Sequence, residues 1–263
     1  MKRTSFLLNL VAVLSVAGLA HAQTASVQVI HNSPDPAAAV VDVYLNGDLA
    51  IDDFAFRTAT PVLALPAEVE IEIGIALGNS GGAQDILATF PVTLMADGAY
   101  VVMATGVLDP TLPGNPEGLD TAFTLNVFSP LTTSAPAGQV ALLAYHGAPD
   151  APTVDILADG VGVLVPELTY GEFAGYLTVP AAEYILRVTP AGDNDTIVAS
   201  FVAPLTDLGG GAAVVFASGF LSSRPENAFG LFAALTDGTV LELPTPTVAT
   251  DGATWSEMKA LFE

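Results

Sequence analysis

The feature that most constrains this chain is an internal duplication. Ile30-His31-Asn32-Ser33-Pro34-Asp35 returns as Tyr145-His146-Gly147-Ala148-Pro149-Asp150, and Val41-Asp42-Val43 returns as Val154-Asp155-Ile156. Leu65-Pro66-Ala67 matches Val179-Pro180-Ala181, and the run Ala99 to Gly106 matches Ala212 to Gly219. The spacing between copies stays at about 114 residues, drifting only as short loop insertions would make it drift. Solenoid repeats are much shorter, so each copy is expected to be a domain with its own core. With 51% hydrophobic residues, the chain has enough apolar material for two.

Inside each copy the pattern is β. Short stretches of Val, Ile, Leu, Thr and aromatics alternate with Gly, Pro, Asn and Asp at the rhythm of a sandwich or barrel. In the first copy this places strands near 26–31, 40–45, 68–76, 86–94, 99–105 and 122–127. In the second they fall near 139–145, 153–158, 175–179, 183–189, 196–202, 212–218, 228–234 and 239–243. Residues 68–73 alternate Glu with Val or Ile, which puts three carboxylates on one face and three aliphatics on the other. Residues 99–104 are apolar on both faces, as a central strand would be.

The flanks read differently. Lys2 and Arg3, the apolar run from Phe6 to Ala20 and the small residues Ala20 and Ala22 form an export signal over 1–22. The apolar run is short for a bilayer span, which takes about 20 residues. Removing the signal leaves Arg57, Arg187, Arg224 and Lys259 against 28 acidic residues. A surface so negative repels nucleic acid and anionic membranes. The expected divisions are domain 1 at 23–130, a linker at 131–138, domain 2 at 139–244, a second linker at 245–253 and a tail at 254–263. In the tail, Thr254 and Glu257 fit a capping box, and Trp255, Met258, Leu261 and Phe262 share one side of a short helix. A docked end and a recognition tag for an export or anchoring partner both fit it.

The segments His31-Asn32-Ser33-Pro34-Asp35 and Val41-Asp42-Val43-Tyr44, with their second copies, resemble the signature of the bacterial domain-of-unknown-function family DUF4397. Residues 170–181, from Tyr170-Gly171 to Val179-Pro180-Ala181, are similar to a further segment of that family. The resemblance covers nearly all of 27–244. It implies an exported protein, extracellular, at the cell surface or in the periplasm, and it brings no catalytic residues with it. The first copy departs from the pattern at Arg57-Thr58-Ala59-Thr60-Pro61, and the second at Gly147-Ala148. Pattern and resemblance together lead to an all-β fold of two tandem immunoglobulin-like antiparallel β-sandwich domains with a short C-terminal helix.

The residues that could carry chemistry are those of the signature: His31, Pro34, Asp35 and Asp42, with His146, Pro149, Asp150 and Asp155. Pro fixes φ and Asp bonds nearby backbone N–H groups, so the Ser33-Pro34-Asp35 stretch makes a turn. A structural brace is expected, with His31 paired to Asp42 and His146 to Asp155. One His and one or two Asp per copy are too few for a closed zinc site. A hydrolytic triad is disfavoured because Ser33 has Ala148 as its counterpart. Asp52-Asp53 and Asp193-Asn194-Asp195 are read as loop clusters without calcium-loop spacing, the latter as a hairpin turn. Phe54, Phe56, Tyr170, Phe173 and Tyr176 are read as packing and, in the alternative, as a sugar-stacking platform. The sequence therefore points to a non-catalytic binding or structural module with no catalytic, metal or cofactor site. Its partner would be a cell-surface protein or a glycan, and a carbohydrate- or calcium-dependent adhesion module is the alternative.

Overall fold

A computed structural model describes residues 23–109, 111–222 and 227–246. The expected export signal and the expected C-terminal helix lie outside the described residues. The first copy contributes β1 (Thr24–His31), β2 (Val40–Leu45), β3 (Asp48–Ala55), β4 (Thr58–Ala59), β5 (Leu63–Pro66), β6 (Glu70–Leu77), β7 (Ala88–Thr93), β8 (Ala99–Thr105) and β9 (Thr124–Phe128). The second contributes β10 (Gln139–His146), β11 (Val154–Ala158), β12 (Gly162–Leu168), β13 (Phe173–Pro180), β14 (Glu183–Pro190) and β15 (Ala199–Pro204). It is completed by β16 (Ala212–Ser218), β17 (Gly230–Leu235) and β18 (Val240–Glu242). Three single 3-10 turns lie wholly within the described residues, at Pro36–Ala38, Ala83–Asp85 and Thr206–Leu208. No helix of the described residues is long and apolar enough to cross a membrane.

The all-β expectation holds. Four sheets form, with strand orders β3-β2-β6-β7, β4-β1-β8-β9, β13-β10-β16-β17-β18 and β12-β11-β14-β15, and β5 also pairs with β1. Pairing between the named strands is antiparallel except at β1–β8 and β10–β16, which run parallel. These are the strands that leave for the other sheet and return after a long excursion, as a parallel neighbour requires.

The two copies differ where their sequences differ. In the second, β13 is one eight-residue strand along β10. In the first, the matching stretch is broken into β4 and β5, each pairing with part of β1. The break holds Thr60 and Pro61; Pro61 has no N–H to give to a ladder. Thr60 patches the gap by bonding Val29 twice, through its own N–H and through its hydroxyl.

Strands β3 and β12 lie outside the expected set, and both carry a bulge. Their registers against β2 and β11 slip, and each holds one non-glycine residue in the left-handed region, Asp53 at φ 51° and Glu167 at φ 48°. Asp52 and Asp53 thus lie on a strand and not in a loop. The acidic strand β6 begins at Glu70, two residues later than its alternation suggests, because Glu68 takes φ 59° and Val69 is exposed.

Three apolar layers fill the molecule. One lies between the two sheets of the first copy, with Val27, Ile71 and Val102 in one cluster and Val41, Phe54 and Ile75 in another. A second fills the second copy around Val140, Leu186, Phe201 and Leu231. The third joins the copies. Ile30, Val101 and Met103 of β1 and β8 meet Leu143, Tyr145, Val214, Phe216, Phe232 and Ala234 of β10, β16 and β17. Odd and even residues of these strands therefore serve different cores: in β16, Ala213 packs inward and Phe216 packs on the other copy. This is why residues 99–104 are apolar on both faces. The 131–138 segment is anchored between the copies, with Leu131 in the shared layer and Ala135 donating its N–H to Gly210.

Polar groups reinforce the shared layer. Arg57 lies over the Phe232 ring at 4.2 Å and the Phe56 ring at 4.7 Å, and its Nε donates to Ser218 at 3.0 Å. Buried Gln28 donates to the carbonyls of Thr60 and Leu235 at 3.2 and 2.6 Å. Asn227 donates to Pro34 O at 2.6 Å, and Asn115 donates to Pro149 O at 3.2 Å, so each copy's signature turn is held by an asparagine of the other.

Candidate functional site

The signature residues gather where β1 and β10 end. His31 and His146 are the last residues of those strands, and both are buried. After each histidine the chain turns across the end of the sandwich to enter β2 or β11. In the first copy Pro36 starts a single 3-10 turn, which a proline at that position favours because its missing N–H would have had no partner there.

Neither histidine pairs with its aspartate, which corrects the expected His31–Asp42 and His146–Asp155 pairs. His31 Nε2 lies 2.8 Å from Ala38 O, seven residues on, and Ser33 N donates to its Nδ1 at 3.4 Å. That fixes the neutral tautomer with the proton on Nε2. His146 Nε2 lies 3.0 Å from Pro152 O in the same way. The reason is local. A carbonyl of the turn is nearer to each ring than the carboxylate, and the carboxylates are already engaged by backbone.

Asp42 accepts Asp53 N at 3.0 Å on one oxygen and the Ser80 hydroxyl on the other. Asp155 accepts Glu167 N at 2.7 Å and Gly192 N at 3.0 Å. In both copies, therefore, this aspartate holds the N–H of the bulged residue in β3 or β12. Asp35 accepts Ala37 N, and its other oxygen receives the successive N–H groups of Leu108 and Asp109 at 2.7 and 2.9 Å. Asp150 takes the equivalent pair, Leu221 N and Ser222 N, at 2.7 and 2.8 Å. The segment each one captures follows Gly106 or Gly219, both in the left-handed region, at φ 85° and 86°. A Cβ there would stand 2.4 Å from a carbonyl oxygen, of Ala122 or Ala228, so only glycine fits the corner.

Burial sets the protonation states. Desolvation lowers His31 from 6.5 to about 4, against the pull of the Ala38 carbonyl, and lowers His146 in the same direction. Desolvation raises the Asp42 carboxyl, but the bonds from Ser80 and Asp53 outweigh it and leave the group below its ordinary value. Both imidazoles are thus neutral at pH 7. Ser33 donates its hydroxyl to Gly106 O at 2.6 Å, so it is not poised as a nucleophile toward His31.

The remaining candidates are dispersed. Asp193 caps the turn between β14 and β15 by accepting Asp195 N and Thr196 N, both at 3.3 Å. The carboxylate oxygens of Asp42, Asp52 and Asp53 lie within 4.8 Å of one another, with Asp42 buried and the other two exposed. The aromatic residues form no open platform. Phe54 and Tyr170 are buried against His31 and His146. Phe173 packs on Tyr145 at 4.5 Å and Tyr176 on Phe128 at 5.8 Å. Gln28, Asn115 and Asn227 leave no mark in the sequence, because each bonds a carbonyl of the other copy. Arg57 carried one signal, as a departure from the second copy's Gly171.

The model of a family described as a domain of unknown function, DUF4397, matches residues 25–145 and again 140–228. No curated protein matches the chain. Among solved structures, a streptococcal virulence factor described for alpha-glucan binding aligns with 72% of this chain and 91% of its own at 11% identity. Its TM-score of 0.23 is too low to carry an argument.

Proposed function

The chain belongs to the DUF4397 family of domains of unknown function, and on that premise we propose that it is a non-catalytic, exported binding or structural module of the cell envelope or extracellular space. One observation carries this reading. Every hydrogen bond found at His31, Asp35, Asp42, His146, Asp150 and Asp155 is made with a backbone group of the chain itself or with Ser80. General acid–base or nucleophilic work needs a titrating group within reach of a substrate proton. Here the imidazoles are buried, neutral and bound to turn carbonyls. The shared apolar layer supports a rigid two-copy unit, which would present a fixed pair of outer sheets to a cell-surface protein or a glycan. A fixed geometry favours two-point attachment, since the second contact then needs no further ordering.

The test is a pull-down from the native envelope fraction with the exported chain as bait, followed by a glycan array and a hydrolase substrate panel. The reading expects a partner or glycan captured equally by the native protein and by His31→Gln. Turnover of any panel substrate that His31→Gln abolishes while the fold persists would overturn it.

A further inference from the structure

The layer between the copies is not the same from its two sides. Gln28, Asn32, Asn126 and Arg57 of the first copy reach across it and donate to carbonyls of the second. Gln28 bonds Leu235 O at 2.6 Å, Asn32 bonds Ala217 O at 3.1 Å, Asn126 bonds Gly171 O at 2.8 Å, and Arg57 bonds Ala228 O. The duplication gives each donor a counterpart. Counting back and forward from the histidines, Gln28 answers to Leu143 and Asn32 to Gly147. Arg57 N and Gly171 N bond the carbonyls of His31 and His146, which makes those two positions equivalent. Asn126 lies opposite Met103 as Phe232 lies opposite Phe216, and Met103 and Phe216 hold the same place in the repeat. Leu143, Gly147, Gly171 and Phe232 have no side-chain donor to return. The remaining polar contacts run both ways: Asn115 and Asn227 exchange bonds to the signature turns, and Thr153 donates to Glu117 at the exposed rim.

Two of the donors fit because the second copy offers a glycine. A Cβ on Gly147 would stand 2.0 Å from Asn32 Nδ2, and one on Gly171 would stand 3.3 Å from Asn126 Nδ2. The amide of Asn32 also takes an acceptor that its own copy does not leave open, since Ala104 O, the counterpart of Ala217 O, already receives Asn32 N at 2.7 Å. A pair of first-type copies would therefore set Asn32 against Asn32 where one amide now meets a glycine. It would also set Arg57 over Asn126 in place of the Phe232 ring. A pair of second-type copies would bring Leu143, Gly147, Gly171 and Phe232 up to the four carbonyls with nothing to donate. The buried Ser218 hydroxyl, which Arg57 Nε now serves, would lose that donor as well. Leaving a buried acceptor without its donor costs the full desolvation of the group.

We propose that this face is a polarised pairing surface: the first copy is its donor side, the second its acceptor side, and each takes the other kind of copy and refuses its own. The apolar residues of the layer stand at equivalent positions on both sides, so they supply attraction without choice. The choice comes from the amides, the guanidinium and the glycines, which reward the mixed pair and penalise both like pairs, as specificity requires. The partner that fits a first-type copy, in the same chain or from another, is thus a second-type copy.

The test begins with urea unfolding of the full exported chain. Gln28→Leu gives the first copy the second copy's residue and adds apolar surface, so a layer without polarity would gain stability from it. The polarised layer should instead lose about tenfold in its folding constant, because Thr60 O and Leu235 O are left without their donor. Gly147→Asn should also destabilise, and adding Asn32→Gly to it should recover part of the loss, since one amide then crosses from the other side. Should Gly147→Asn alone fail to fold, a folded double variant gives the same answer. The choice of partner is read directly from chains cut once within the 131–138 segment and mixed with isotope-labelled cut chains. Native mass spectrometry should find first–second pairs alone. A gain in stability with Gln28→Leu, losses at 32 and 147 that merely add, or first–first or second–second pairs would each overturn the proposal.

Discussion

His31 makes the stability of this protein fall on mild acidification, by an amount the structure allows to be worked out. The imidazole is buried and neutral, with its value near 4 in place of 6.5. At pH 5 the unfolded chain therefore binds a proton at this residue that the folded chain refuses. Stability contributed by the neutral ring is complete above pH 6.5 and is lost as the pH falls toward 4. The full span is worth about 3 kcal/mol, of which about 2 kcal/mol is gone by pH 5. His146 is shifted in the same direction for the same reason and adds to the effect. The acidic surface works the other way, since protonating carboxylates eases self-repulsion. The comparison must therefore be between the native protein and His31→Gln, which shares that surface. Urea unfolding at pH 5, 6, 7 and 8 gives the free energy of each. The native protein should lose stability relative to the variant by about 2 kcal/mol between pH 8 and pH 5. A difference that stays constant across the series would refute the neutral buried imidazole.

Three further outcomes follow from the same geometry. Phe216→Ala removes a fully buried ring that packs on Phe232 in the layer between the copies, and should destabilise by about 3–5 kcal/mol; calorimetry should show one transition moving for the whole chain, and two transitions with one unmoved would refute a common unit. Asp35→Ala strips the acceptor from Ala37, Leu108 and Asp109 and should lower stability in urea by roughly 1.5–3 kcal/mol, the range for a hydrogen bond to a charged group. Arg57→Met keeps the apolar stem but loses the guanidinium over Phe232, for a loss of about 1–2 kcal/mol in the same assay.

Much of this architecture was legible in the sequence because duplication supplies its own control. Each strand that alternates or runs apolar in one copy has a counterpart in the other, and β1, β2, β8, β10, β14 and β16 lie where their patterns put them. What escaped notice were features set by backbone strain or by partners far along the chain. Strands β3 and β12 carry bulges, and a bulge shifts the phase on which an alternation argument depends. The signature reads as a turn, but its bonding does not follow from its residue types. Residue types suggest a histidine–aspartate pair, whereas the fold offers each a closer backbone partner. The layer between the copies was visible only as surplus: Val101 and Met103 are apolar on a face that a lone sandwich would expose to water.

That surplus face also sets a rule of number. Ile30, Val101 and Met103 of one copy and their counterparts Tyr145, Val214 and Phe216 of the other occupy equivalent positions on equivalent strands. The contact is thus isologous, each partner offering the patch it receives, and such a contact closes on itself. A third tandem repeat would find no vacant patch to join and would leave its own uncovered. Growth of such a chain by further duplication is therefore expected to proceed by pairs, and an odd repeat would have to seek its mate on another molecule.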